Sequence, residues 1–246
     1  MKRLKTYSIG IGFLIFCMCF ISSSKCAKKV GNVSEKKIQL NSFHSIRVTG
    51  DFKIKLIQDS SYTLKISGGK GILENVVHEI VSDTLRIENQ NKCNFLSNYN
   101  KNITLEIGVG SLQKIALINP GSLDNSGKLV SDNLLVEIRE CGVKLNLIGE
   151  FKNLTLKAYT GTPTINLSGT CNVFSIDESS FGHIYAFDFI SKNTNVNSRG
   201  TGFINVNVTD EFKVNQQGSG IIRYRGNPAI VEIKIKENSS AQVIQD

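Results

Sequence analysis

Tryptophan is absent from this 246-residue chain, proline occurs three times and methionine twice. So little proline leaves no stiff linker between halves, and no long charged or low-complexity block marks a disordered region. The length suits one large β domain or two small ones, with a core that need not depend on disulfides. His44, His78 and His183 lie far apart and lack metal-ligand spacing, as do Cys93, Cys141 and Cys171. No serine or cysteine occupies a nucleophile elbow. Gly218 and Gly220 do not make a phosphate loop, because no lysine-led helix follows. No catalytic, metal-binding or cofactor-binding residue is therefore assigned, and no cofactor is expected.

The first 27 residues differ from the rest. Lys2, Arg3 and Lys5 form a basic start, Ile9 to Ile21 is almost wholly apolar, and Ser22, Ser23 and Ser24 follow. That order reads as a secretory signal peptide over residues 1–27, with an apolar run short for a membrane span; a retained anchor is the alternative. Cleavage would remove Lys2, Arg3, Lys5 and Lys25 and no acid, taking the formal charge from +8 to +4. Half the basicity is then targeting signal, which argues against a nucleic-acid partner. Cys17 and Cys19 would leave with the signal. Cys26 stands where a lipid-modified cysteine could begin the mature chain, although Ser23, Ser24 and Lys25 are poor company for it. Cys93, Cys141 and Cys171 read as buried small hydrophobes, with one disulfide open in an oxidising compartment.

From residue 38 onward apolar and polar residues alternate. Ile46 and Val48, then Phe52, Ile54 and Leu56, then Leu85 and Ile87, then Ile103, Leu105 and Ile107 set a period of two, which predicts strands with one buried face. Between Ile72 and Ile80 a weak helical spacing competes with a strand, Val76–Val81, that ends at a Ser82-Asp83 turn.

A longer period overlies this one. Strand patterns at Leu134–Ile138, Leu154–Leu156, Val173–Ile176, Thr194–Val196 and Phe212–Val214 recur about every 20 residues. A second set lies between them: Val143–Leu147, Ile165–Leu167, Ile184–Ala186, Ile204–Val206 and Ile221–Tyr224. Gly142, Gly161, Gly182, Gly202 and Gly220 precede that second set at intervals of 19, 21, 20 and 18.

Such a unit cannot bury its apolar faces alone. Stacking equivalent strands about 4.8 Å apart closes a continuous core. Glycine corners supply sharp turns or positive φ, and asparagines can stack in ladders. The expected fold is all-β, a right-handed parallel β-helix (solenoid) with coils of about 20 residues, roughly ten in number, whose thin interior suits Ile, Val and Leu better than rings. An antiparallel sandwich or a propeller is the competing architecture. The single domain is placed at 28–236. Val231, Ile233 and Ile235 alternate with Glu232, Lys234 and Lys236 in a last strand whose charges discourage end-to-end pairing, and 237–246 read as a polar tail.

Gly200-Thr201-Gly202-Phe203-Ile204 and Gly218-Ser219-Gly220 through Tyr224-Arg225-Gly226-Asn227-Pro228, with Phe43 through Gly50 and Leu56 through Asp59, carry a family resemblance. The chain resembles the putative auto-transporter adhesin, head GIN domain family, over roughly 40–230. The resemblance implies a right-handed parallel β-helix exported by Bacteroidetes-type bacteria, often as a lipoprotein. It brings no catalytic residues. Gly161-Thr162-Pro163 and Ser180-Phe181-Gly182 replace the family's small-residue turns, and Phe203 and Ile221 stand where an acid often follows.

The functional expectation is an exported, non-catalytic envelope or surface protein in the periplasm or at the outer membrane of a Gram-negative cell. It would adhere or bind ligand through its side sheets, to a glycan or an envelope protein, and meet the membrane only through a lipid on Cys26. The alternatives are a polysaccharide-active enzyme on the same scaffold and a purely structural component. An enzyme would need converging carboxylates; Asp177-Glu178 and Asp210-Glu211 are neighbours whose side chains diverge on a strand. Tyr185, Arg199, Arg223, Tyr224 and Arg225 form the candidate surface patch for an acidic glycan or a protein partner. The sequons at Asn102, Asn153 and Asn166 read as by-products of an asparagine-rich chain.

Overall fold

The computed structural model describes residues 31–91, 103–140 and 142–246, of which Cys26, Cys93, Cys141 and Asn102 are not members. The chain is nearly all strand, 69% against 2% helix, and winds into a parallel β-solenoid of about 7 turns. No described helix is long and apolar enough to cross a membrane.

The regular part begins at β10 (Leu129–Arg139) and continues through β11 (Lys144–Ala158), β12 (Thr164–Glu178), β13 (His183–Ser198) and β14 (Phe203–Gln216). Each long strand bends and serves more than one wall of the solenoid. Their parallel registers advance by about one coil, so Leu154 faces Phe174 and Leu145 faces Ile165. Two apolar columns result. In the first sheet, Leu85, Ile46, Ile115, Val136, Leu156, Ile176, Val196, Val214 and Ile233 stack in that order. In the second, Leu105, Ile54, Leu123, Leu145, Ile165, Ile184, Ile204, Ile222 and Val243 do the same. Each fully buried branched side chain contributes about 1.5–3 kcal/mol relative to exposure. Rings enter this interior as well, contrary to expectation: Phe43, Phe52, Phe174, Phe189 and Phe212 are all buried. Phe174 and Phe189 meet edge to face at 5.3 Å, filling the space where the walls diverge.

Asparagine ladders run along the outside. Asn153 donates to Asn133 at 2.7 Å, Asn166 to Asn146 at 2.8 Å, and Asn146 in turn to Asp124. Asn215, Asn197 and Asp177 form another ladder at 3.2 and 3.3 Å. Stacked amides satisfy one another along the coil axis. The amide nitrogens of Asn153 and Asn166, both in sequons, are already engaged in this way.

The N-terminal third departs from a simple solenoid. It comprises β1 (Val33–Gln39), β2 (Ser45–Thr49), β3 (Lys53–Gln58), β4 (Thr63–Gly69), α1 (Lys70–Leu73), β5 (Val76–Val81), β6 (Thr84–Asn89), β7 (Thr104–Val109), β8 (Lys114–Ile118) and β9 (Ser122–Ser126). Strand β2 lies between β6 and β8, and β3 lies between β7 and β9, all parallel. The chain thus lays down an inner coil first, travels to the outermost position, and returns past its own start. β1, β4 and β5 pair antiparallel on this outer end and cover it. The β5–β6 hairpin turns on Ser82 and Asp83, whose φ values of 47° and 63° match a type I′ turn. Residues used for this cap do not form coils, so the turns number about 7 and not ten.

At the other end, β15 (Ile221–Arg225) and β16 (Ile230–Ile235) extend the second and first sheets. Within the polar tail, β17 (Gln242–Gln245) pairs in parallel with β15 and completes the last coil.

Candidate ligand-binding face

Alternation along β13, β14 and β15 sends Ile184, Ala186, Ile204, Val206, Ile222 and Tyr224 inward. The intervening residues form the outer face of the second sheet. Register places Tyr185, Asn205, Arg223 and Ile244 in one outward column. Phe203 and Ile221 stand in the adjoining column, with His183 on the strand before. Tyr185 is 41% exposed, Phe203 42% and the corner residue Phe181 64%. His183 ties the face together: its Nδ1 accepts from the Phe203 amide at 3.0 Å, and its ring lies 5.1 Å from that of Phe203 and 6.1 Å from that of Tyr185.

Phe187 joins the face through an irregularity. The β13–β14 register shifts between Ala186 and Ile190, a bulge that turns both Phe187 and Asp188 away from the interior. Arg225 lies over the Phe187 ring at 3.9 Å, a cation–π contact, with Asp246 3.8 Å from its guanidinium. Phe187 was not among the sequence candidates, because strict alternation does not anticipate a bulge.

Three of the five candidates, Tyr185, Arg223 and Arg225, share this face. Tyr224 does not: it is 8% exposed, stacks on Phe212 at 4.8 Å and donates its hydroxyl to Gln245 at 3.1 Å. Its place between Arg223 and Arg225 on a strand dictates the inward direction. Arg199 belongs to a corner and bonds Asp177 of the first sheet at 3.1 Å.

The acids are dispersed. Asp177 faces outward, whereas Glu178 is buried and accepts from the Ser180 amide (2.6 Å), the Ser180 hydroxyl (2.7 Å) and the Ser198 hydroxyl (3.0 Å). Glu211 pairs with Lys213 at 2.6 Å, and Asp210 accepts from Thr209 at 2.6 Å. No cluster of three or more His, Cys, Asp or Glu among the described residues is arranged to hold a metal ion. Cys171 is buried in the wall, its thiol pushed up by burial, as the small-hydrophobe reading expects for that cysteine.

The outer face of the first sheet is polar and grooved. One groove of about 430 Å³ is lined by Thr155, Asp177, Asn197, Lys213, Asn215 and Lys234. Another, of about 650 Å³, is lined by Arg47, His78, Glu79, Arg86 and Glu88. Neither is lined by a phenylalanine or tyrosine, which distinguishes both from the second sheet.

Among curated proteins none matches the chain. Among solved structures it is similar to a putative adhesin from Bacteroides fragilis (TM-score 0.74, 19% identity, 90% of this chain and 99% of that one). It is also similar to a putative adhesin from Parabacteroides merdae (TM-score 0.57, 21% identity, 88% and 97%). A structure described as a putative lipid binding protein from Parabacteroides distasonis shares the fold too (TM-score 0.56, 19% identity, 88% and 97%). Residues 42–228 match the family of the putative auto-transporter adhesin, head GIN domain, and the chain belongs to that family.

Proposed function

We propose that this protein is an exported, non-catalytic adhesive module of the bacterial envelope that binds an acidic glycan through the outer face of β13–β15. The observation that carries this reading is the column of Tyr185, Asn205 and Arg223 beside exposed Phe203. Aromatic planes are apolar platforms for the C–H faces of sugar rings, Asn205 offers amide hydrogen bonds, and the arginines offer forked donors to carboxylate or sulfate. Successive strands lie about 4.8 Å apart, close to the rise of a sugar unit, so a chain lying along the solenoid axis meets one coil after another. Export is supported by the basic, apolar and small-residue order of residues 1–27, and an envelope location by the adhesin family.

The test is an array of neutral, carboxylated and sulfated glycans, with vesicles of neutral and anionic lipid in parallel. Retention on acidic glycans, weakened by salt, is the expected result. Binding to anionic vesicles alone, or to no glycan at all, would sink the proposal.

A further inference from the structure

The two ends of the solenoid are finished differently. The N-terminal end is covered by β1, β4 and β5. The last coil has no such cover among the described residues. Among the described residues β16 pairs only with β14, and β17 only with β15, and none of them pairs with the opposite edge of either strand. The inward side chains of this strand are open: Val231 is 43% exposed, Ile233 42% and Ile235 42%, whereas their register partners Phe212, Val214 and Gln216 are 0%, 3% and 0%. Unpaired edge amides beside exposed core-type side chains make this end a site for strand addition.

The sequence of β16 selects the occupant. Outward-facing Glu232 and Lys234 flank inward-facing Ile233, with Val231 and Ile235 beyond. In an antiparallel pairing of this strand with a second copy of itself, centred on Ile233, Glu232 of each chain lies opposite Lys234 of the other. Val231 then lies opposite Ile235, and Ile233 opposite Ile233. Side chains directly opposite in an antiparallel pair share a face, so the inward set meets the inward set and the two cores become continuous. Centring on Glu232 or Lys234 instead would set like charges against each other on the axis. Alternating charge, read from the sequence as a guard against end-to-end pairing, is self-complementary in this one register.

We propose that β16 is the centre of an end-to-end, two-fold homodimer in which two solenoids join at their C-terminal coils. The interface is isologous: each copy uses the same strand and closes it on the other, so this contact makes dimers and not fibres. It is separate from the glycan face and stands whether or not that face binds. Its consequence is to hold two such faces in one rigid body, so weak contacts add.

Sedimentation velocity of the purified protein across the micromolar range tests it, with Glu232→Lys, Lys234→Glu and the double exchange. Wild type is expected as a dimer. Each single exchange opposes like charges twice and raises the dimer Kd by about tenfold or more; the double exchange restores opposite charges and the dimer. Both side chains are exposed in one copy, so thermal melts of monomeric variants serve as folding controls, and Ile233→Arg provides a second disruption on the axis. A wild type that stays monomeric, single exchanges that dimerise as well as wild type, or a double exchange that fails to restore association would each overturn the proposal.

Discussion

A Cβ on Gly202 would lie 1.6 Å from the carbonyl oxygen of Gly182, one coil away. The corner glycine is needed there because neighbouring coils touch backbone to backbone. Gly202→Ala must push two coils apart and should cost about 2–3 kcal/mol, read as a lower midpoint in denaturant. Among the described residues a Cβ on Gly142 meets nothing closer than Thr162 Oγ1 at 3.5 Å, so Gly142→Ala should change the midpoint little.

Glu178 organises the next corner. Its carboxylate accepts three hydrogen bonds from Ser180 and Ser198, and a Cβ on Gly200 would come within 2.3 Å of either carboxylate oxygen. Glu178→Ala strands the Ser180 amide inside the corner and should destabilise by about 2–3 kcal/mol. Glu178→Gln retains an acceptor and should cost less. Paired chemical denaturation curves check the order.

His78 gives the cap a pH response. Burial, and then the charge of Lys36, lower its pKa from the ordinary 6.5. Arg47, Glu79, Arg86 and Glu88 line the same groove. The folded state favours the neutral ring, so below about pH 6.5 the unfolded chain binds more protons. The contribution is complete above that pH and is lost as pH falls through the folded value. His78 is only half-buried and solvent screens its charge, so the effect should be small. His78→Gln should remove this part of the slope from stability measured between pH 5 and 7.5.

Cys26 lies outside the described residues, and chemistry tests it directly. Expression in a Gram-negative host with an alkynyl fatty acid should label the wild-type protein if Cys26 is acylated. Cys26→Ser should abolish the label and move the protein from the membrane to the soluble fraction. Equal labelling of both would remove Cys26 as the anchor.

Much of the fold is legible in the sequence because burial in a solenoid repeats at fixed intervals. The columns through Leu156 and Ile165 follow from the spacing of their apolar residues. The order of the first coils is not legible. Ile46 and Val48, Leu85 and Ile87, and Ile115 and Leu117 present the same inward pair, so any of these strands could stand next to any other. Their antiparallel cap decides the order. At the candidate face, Tyr185 and Arg223 follow from alternation, and alternation applied strictly also sends Tyr224 inward. Phe187 depends on the β13 bulge, and Arg199 on a corner that carries it to the first sheet, where Asp177 holds it.

Ligand held on the outer face of β13–β15 should depend on the side chains of that face and not on those of the first sheet. Titration calorimetry decides, with an acidic oligosaccharide selected on the array against wild type, Tyr185→Ala, Phe203→Ala, Arg223→Ala and Lys157→Ala, the last an outward residue of the first sheet away from β16. Loss of an anchor at the centre of a small interface should weaken binding about tenfold or more for each of the first three, with melting temperatures unchanged. Lys157→Ala should bind as wild type does. Equal affinity for all four variants, or a loss confined to Lys157→Ala, would overturn this assignment and move the binding surface to the other sheet.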